Sequence, residues 1–521
     1  MKRVFLLAAA SLCALLSPSP VSACSCLIGD PPAEFQRAKA VFVGRVLGGT
    51  EKLKAKGPDG RSQSLVAGEV RLAVEELFKG DPARETTLAV NSMLGTSCGD
   101  YGLRVGARYV VYAYASERGE RLLYTGVCTR TVAADSSHAA SDLTFLRSLP
   151  AIGARGNPRG GAGAVTAGAA AAELQRLLAA EVAANPSLPG QLLHVHAPRL
   201  NLDVSLAAGL FDRASKRPLE PRHGFRVASV TKTFVAASVL RLYEMGRLKL
   251  DDSINRHLPA EYISVLEAGG YPTRRITVRQ LLTHTSGIHD YATDAQYFAV
   301  AERDPRHRWT RMEQVRAAVR WGKPRFAPGA GYHYSDTGYV LLGEIIERLT
   351  RRPLGEAYRT LLDFRRLGLD ETYLETLESV PAGAAALSHP YFGDIDGTLI
   401  DPSFDLYGGG GLVSSAEDLA RFYRALLRGR VFRRPSTLRT MLSVPPTNER
   451  SPGGAYAMGI SRRLIAGHTC WGHTGFWGTS AYHCPAPDVT IVRHYNQARP
   501  DGGFVFNRLY EQIADALGLR G

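Results

Sequence analysis

The chain has 521 residues, 45% hydrophobic and 21% charged, with 63 Lys and Arg against 49 Asp and Glu and a formal net charge of +14. The basic residues are spread widely, densest from Arg303 to Arg325, and no aromatic-interleaved basic motif accompanies them, so no nucleic-acid partner is expected. No stretch approaches the ~20 consecutive apolar residues of a membrane-spanning helix, which excludes a transmembrane segment.

The chain opens with Met1-Lys2-Arg3, an apolar run from Val4 to Leu16, and Val21-Ser22-Ala23 before Cys24. This pattern predicts a signal peptide over residues 1–23 and an exported, periplasmic or secreted product. Its removal would take Lys2 and Arg3 and no acid, lowering the charge from +14 to +12. Cys13 would leave as well, so six of the seven cysteines remain, an even number suited to an oxidising compartment. Metal binding at Cys24-x-Cys26 lacks a second close pair or a histidine cluster, and neither a metal nor another cofactor is expected. Val21 to Cys24 also fits a lipoprotein box, whose lipid anchor would consume the Cys24 thiol and amine.

Residues 24–148 alternate as strands do, in Ala40–Val46, Gly68–Glu75 and Arg108–Tyr114, and short, regularly spaced strands predict a small closed barrel. Residues 149–171 are rich in Gly and Ala and read as a flexible linker. Residues 172–521 form the second expected domain, of ordinary size for one large unit.

Within that domain, Ser229-Val230-Thr231-Lys232 places a hydroxyl and an amine one helical turn apart, so the amine can reach the hydroxyl. The apolar run from Thr233 to Leu242 predicts a buried helix, with Gly246 beyond its end. Tyr334-Ser335-Asp336 precedes another apolar run, Tyr339 to Gly343, that reads as a helix. His473-Thr474-Gly475 lies between short apolar stretches and reads as the end of a strand. A strand through Gly472, a turn at Phe476 to Gly478 and a return through Ala481 would set Cys470 opposite Cys484, which predicts a disulfide.

These segments resemble the S-x-x-K, Y-x-N and K-T-G or H-x-G motifs of the serine β-lactamase and penicillin-binding-protein superfamily. Phe225–Lys232, Gly246–Asp252, Leu281–Gly287 and Gly410–Leu419 also look like this family, in its order, over about residues 170–515. The resemblance is strongest to class C β-lactamases, D-alanyl-D-alanine carboxypeptidases and related esterases. It implies an antiparallel sheet flanked by helices plus an all-helical subdomain, with the site between them. It implies Ser229 as nucleophile, Lys232 and Tyr334 sharing general-base work, and a lysine field that lowers the Tyr334 pKa. It further implies that His473 and Thr474 line the strand receiving a substrate carboxylate, and that the amides of Ser229 and Phe476, after Gly475, form an oxyanion hole. Asp336 stands where the family has asparagine; facing Lys232, it would hold the ammonium form, and it could repel an anionic substrate. The activity implied is cleavage of cell-wall D-alanyl-D-alanine peptides, with an esterase or a β-lactamase as alternatives within the enzyme class. An inactive binding or metalloprotease-inhibitor protein is the alternative outside it.

Cys24-Ser25-Cys26 with Ala40–Gly44 resembles the netrin-like modules of tissue inhibitors of metalloproteinases, which have an OB-type barrel. That resemblance implies Cys24–Cys98 and Cys26–Cys128 bridges, although the cysteine count alone leaves three pairings open. A protein partner for this module is not identified by the sequence.

Overall fold

The computed structural model describes residues 35, 38–56, 62–79, 85–91, 103–115, 123–126, 131–147, 165–449, 451, 454–498 and 506–519. Contacts divide the chain into two compact units, residues 1–162 and 163–521. The expected signal peptide and Cys24, Cys26, Cys98 and Cys128 lie outside the described residues, so neither N-terminal bridge is placed.

The first unit carries strands β1 (Ala40–Lys56), β2 (Ser62–Lys79), β3 (Glu85–Asn91), β4 (Arg108–Ala115), β5 (Leu123–Gly126) and β6 (Val132–Ala133), then helix α1 (Ser137–Arg147). They pair in the order β1-β2-β3-β5-β4-β6, and β1 also pairs with β4. Alternation along β1 explains two apolar clusters. Phe42 and Val46 face Leu72, Leu88 and Val111, whereas Val41 and Val43 face Tyr112 and Ala139 and Leu146 of α1. Glu75 of β2 pairs with Arg45 of β1 and Arg108 of β4.

The second unit begins within the stretch expected to be a linker, residues 149–171, and before the boundary expected at 172. Thr166 caps the N-terminus of helix α2 (Ala167–Ala184), and Ala170 is buried. An alanine-rich segment with a capping threonine gains helix once a neighbouring sheet covers one face. That sheet has seven strands. Its order is Ala455–Tyr456, Ser461–Ile465, His468–Thr474, Thr479–Cys484, Val489–Tyr495, Gly190–Ala197 and Leu202–Gly209. Every neighbouring pair is antiparallel. Successive residues point to opposite faces, and both faces are covered. Leu193, Val195 and Ile491 meet Leu174 and Leu178 of α2 and Tyr510 and Ile513 of the helix Phe506–Ala516. Leu192, Ala481 and Val492 join the larger core with Leu419, Phe422 and Leu426 of the helix Ala416–Leu427. The helical part of the unit is built from Ala260–Ala268, Val278–Leu282, Arg311–Trp321, Asp336–Thr350 and Leu354–Leu362. The architecture is the expected α/β arrangement of antiparallel sheet, flanking helices and helical subdomain.

Helix α3 (Thr231–Glu244) runs through the middle of that core. Thr231 to Leu240 are buried without interruption, which is why its sequence is apolar on nearly every side. Among the described residues no helix is long and apolar enough to cross a membrane.

Candidate active site

Ser229 sits in the one-turn 3-10 segment Ala228–Val230 that leads into α3. Ala228 has φ of +47°, a left-handed conformation that an L-residue adopts at a cost. The bend leaves the Ser229 side chain half-buried at the helix entrance while its neighbours are enclosed. Lys232, one turn later, is fully buried. Its Nζ donates to Ser229 Oγ at 2.8 Å and to the Gly409 carbonyl at 2.6 Å, and lies 2.7 Å from Asp336 Oδ1. Three acceptors for three N–H bonds describe a resting ammonium. Gly409 permits this approach, because a Cβ there would stand 3.1 Å from Asp336 Oδ2.

Asp336 is the first residue of helix Asp336–Thr350, where the helix dipole favours a carboxylate. It faces Lys232, the condition under which it holds the ammonium form. Two further acids stand behind it. Asp290 accepts the Asp336 amide at 3.0 Å and the Ala292 amide at 3.1 Å. Burial, then the Asp336 charge, pushes the Asp290 carboxyl well above the usual range. The same two causes, in the same order, raise Asp405 to about 7. Sequence reading missed both. Asp290 reads locally as the cap of the short turn Tyr291–Thr293, which it also is.

Tyr334 hydrogen-bonds Ser229, and Lys232 Nζ lies 5.0 Å from its ring centroid. The expected lowering of its pKa does not occur. Burial, then the Asp336 charge, pushes the hydroxyl well above the ordinary phenol range, and the bond to Ser229 only partly opposes them. Tyr334 therefore rests as a protonated phenol. Its ring is held by His284, with centroids 4.2 Å apart, and His284 Nδ1 accepts the Ser335 amide at 3.1 Å.

His473, Thr474, Gly475 and Phe476 end the strand His468–Thr474 and begin its turn. Gly475 packs against the nucleophile turn, where a Cβ would fall 2.2 Å from the Val227 carbonyl. Thr474 and Phe476 are half-buried. His473 is 4% exposed. Its Nδ1 lies 2.6 Å from the Thr474 carbonyl and its Nε2 2.9 Å from the Tyr456 hydroxyl. A carbonyl beside Nδ1 requires that nitrogen to carry the proton, so Nε2 accepts from Tyr456. Burial, then the Lys232 charge, depresses the imidazole to about 3. His473 is thus a neutral, internally satisfied ring. The cationic stand-in for the lysine of K-T-G is not what this geometry provides. Tyr456 is the partner that sequence reading missed, since a tyrosine on a two-residue strand has no local signature.

Cys470 and Cys484 form a disulfide with Cα atoms 4.1 Å apart. The strand register pairs Trp471 with His483, which sets the two cysteines side by side. They belong to the apolar cluster under α2, whereas Trp471 joins the other core.

Together these groups offer a hydroxyl in contact with an ammonium and a phenol, backed by three carboxyl groups in a buried setting. Such an arrangement can deprotonate the hydroxyl as Lys232 hands a proton to Asp336, and can return a proton through Tyr334. Among the described residues no cluster of three or more His, Cys, Asp or Glu side chains could hold a metal.

The profile of the Beta-lactamase family matches residues 197–516. Among curated relatives, penicillin-binding protein 4* of Bacillus subtilis is 30% identical over 231 residues, 42% of this chain and 48% of that one. Esterase EstB of Burkholderia gladioli is 35% identical over 161 residues, 30% of this chain and 40% of that one. The chain therefore spans about half the length, or less, of these curated relatives. Among solved structures, a D-stereospecific amidohydrolase from Streptomyces superposes with a TM-score of 0.55 at 30% identity, over 66% of this chain and 98% of that one. A D-amino acid amidase from Ochrobactrum anthropi has the same fold, with a TM-score of 0.57 at 24% identity over 68% and 99%.

Proposed function

Because the chain belongs to the Beta-lactamase family, we propose that it is a serine hydrolase working through an acyl-enzyme on Ser229. The observation that carries this reading is the 2.8 Å contact between Ser229 Oγ and Lys232 Nζ at the entrance of a helix buried from Thr231 to Leu240. In this reading Ser229 Oγ attacks the substrate carbonyl while its proton passes to Lys232 and Lys232 yields one to Asp336. The amides of Ser229 and Phe476 receive the oxyanion. Tyr334 protonates the departing amine or alcohol and is reprotonated by Lys232. Water then attacks the ester by the reverse sequence, and Ser229 regains its proton. Intact Ser229, Lys232 and Tyr334 argue against an inactive binding or inhibitor protein.

The substrate is an ester or amide whose leaving group needs no carboxylate. A neutral, enclosed His473 supplies no charge for one, so a cell-wall carboxypeptidase, the activity expected from the motifs, is less well supported, as is a β-lactamase. The names of the esterase and amidohydrolase relatives agree with this preference. The test compares p-nitrophenyl esters, neutral amino-acid amides and a D-alanyl-D-alanine peptide, with a fluorescent penicillin followed by intact-protein mass. Ester or amide turnover with weak penicillin labelling is expected. Turnover of the peptide in preference to the esters would return the assignment to a carboxypeptidase.

The N-terminal unit is inferred to be a netrin-like, OB-type barrel of an exported protein, over residues 24–148. The cyclic pairing β1-β2-β3-β5-β4-β1 supports it.

A further inference from the structure

His284 is enclosed behind the site and grips the segment that carries Tyr334 at three points. Its carbonyl accepts the His333 amide at 3.0 Å and its Nδ1 accepts the Ser335 amide at 3.1 Å. One residue therefore takes the backbone N–H on each side of Tyr334. Its ring lies against the Tyr334 ring, with centroids 4.2 Å apart and planes inclined by 35°. The Tyr456 and Tyr339 rings, at 4.8 Å and 5.0 Å, keep the imidazole in place. The two hydrogen bonds fix where the Tyr334 backbone stands, and the ring contact fixes how its phenol is turned.

Two features of His284 are unfavourable in themselves. Its φ is +57°, a left-handed conformation that few residues other than glycine adopt, although histidine and asparagine do so more than most. Because Nδ1 accepts, the ring proton sits on Nε2, and that buried N–H has no acceptor among the described residues. Backbone strain and an unsatisfied polar group are kept where they serve a site. Burial, then the Lys232 charge, holds the imidazole well below its ordinary pKa, so the ring brings no second cation beside Lys232. Phenylalanine would supply the flat face without the acceptor, and asparagine the acceptor without the face. Neutral histidine supplies both.

We propose that His284 is a positioning residue for Tyr334, and that its clasp holds the phenol where it can hand a proton to the leaving group. The proposal rests on the acyl-enzyme reading. There the Ser229 Oγ–carbon bond forms, the bond from that carbon to the leaving group breaks, and the Tyr334 hydroxyl gives its proton to the departing oxygen or nitrogen. Lys232 then restores the phenol. A p-nitrophenolate departs as a stable anion without that proton, whereas an ethoxide needs it. Misplacing the phenol therefore slows an ethyl ester more than the p-nitrophenyl ester of the same acid.

The experiment uses the full chain. The ratio of kcat/KM for p-nitrophenyl butyrate to that for ethyl butyrate is measured in the native protein, His284→Asn, His284→Phe, Tyr334→Phe and the double variant Tyr334→Phe with His284→Phe. Both esters give the same butyryl-enzyme, so the ratio reports departure of the leaving group. Each single His284 variant should raise the ratio by about 10-fold or more, part of the 10²–10⁴-fold that a proton-transfer group supplies. Adding His284→Phe to Tyr334→Phe should change the ratio by no more than about two-fold, because without a phenol hydroxyl the clasp has nothing left to place. A native ratio in either His284 variant that folds overturns the proposal, and so does a further large rise in the double variant. A partly folded variant lowers both rates together and leaves the ratio alone. Asparagine tolerates the left-handed backbone, so His284→Asn decides the matter should His284→Phe not fold. If the native protein cleaves neither ester, the acyl-enzyme reading fails and the proposal falls with it; if it cleaves both and the ratio does not move, the proposal alone falls.

Discussion

At the scale of single residues, the site depends on where protons rest. Ser229→Ala removes one hydroxyl and little packing, so the fold should survive while covalent labelling by an ester or β-lactam probe disappears in intact-protein mass. Lys232→Ala and Tyr334→Phe should each slow acylation by about the 10²–10⁴-fold typical of a proton-transfer group. Near-native rates in both would leave the base unassigned. Asp336→Asn restores the family amide at a carboxylate that faces Lys232 at 2.7 Å. Since the ammonium needs somewhere to place a proton, this substitution should lower ester acylation; an increase would show instead that Asp336 only pins the lysine. The carboxyl of Asp405 makes a separate statement about pH. Its folded-state pKa, about 7, lies above the ordinary carboxylate value, so the folded protein binds one more proton than the unfolded chain between about pH 4 and 7. That group therefore costs stability as pH rises through this window. Asp405→Asn should match the native protein near pH 4 and exceed it by about 1–3 kcal/mol at pH 8, measured by denaturant unfolding at both pH values. His473 contributes no step of its own between pH 5 and 9, because its imidazole titrates near 3.

At the scale of elements, two close approaches set the site. The strand His468–Thr474 meets the Ala228–Val230 turn through Gly475, where no side chain fits, and the helix Asp336–Thr350 presents its N-terminus to α3. The disulfide stiffens the strand pair His468–Thr474 and Thr479–Cys484 from the face opposite His473. Cys470→Ser with Cys484→Ser opens a 14-residue loop constraint, and should cost about 2–3 kcal/mol in denaturant unfolding. Ester kcat should fall by a larger factor than the loss of folded protein explains, because Thr474 and the Phe476 amide lose their register. A free thiol at Cys470 in the native protein, seen in non-reducing peptide maps, would remove the premise. The strand–turn–strand reading that put 470 opposite 484 was possible because alternation and glycine turns are local signals. The partnership of Tyr456 with His473 was not, because the strands that carry them are not hairpin neighbours but are separated by the strand Ser461–Ile465.

At the scale of the whole molecule, every residue of the proposed catalytic site falls in the unit 163–521. Residues 163–521 alone should therefore retain ester kcat/KM within about two-fold, and a large loss would assign the N-terminal unit a part in catalysis. What the sequence by itself determined was whatever local spacing encodes. Ser229 and Lys232 share a helix face, a buried helix is apolar all round, Tyr334-Ser335-Asp336 precedes a helix, and 470 and 484 sit across a hairpin. The family followed from those segments occurring in one order. What only the tertiary structure decided was protonation, because it depends on burial and on charges brought from distant segments. Asp290, Asp336 and Asp405 meet around Lys232 from three separate loops and helix ends, and burial with the Asp336 charge keeps Tyr334 a phenol. Enclosure beside Tyr456 makes His473 neutral.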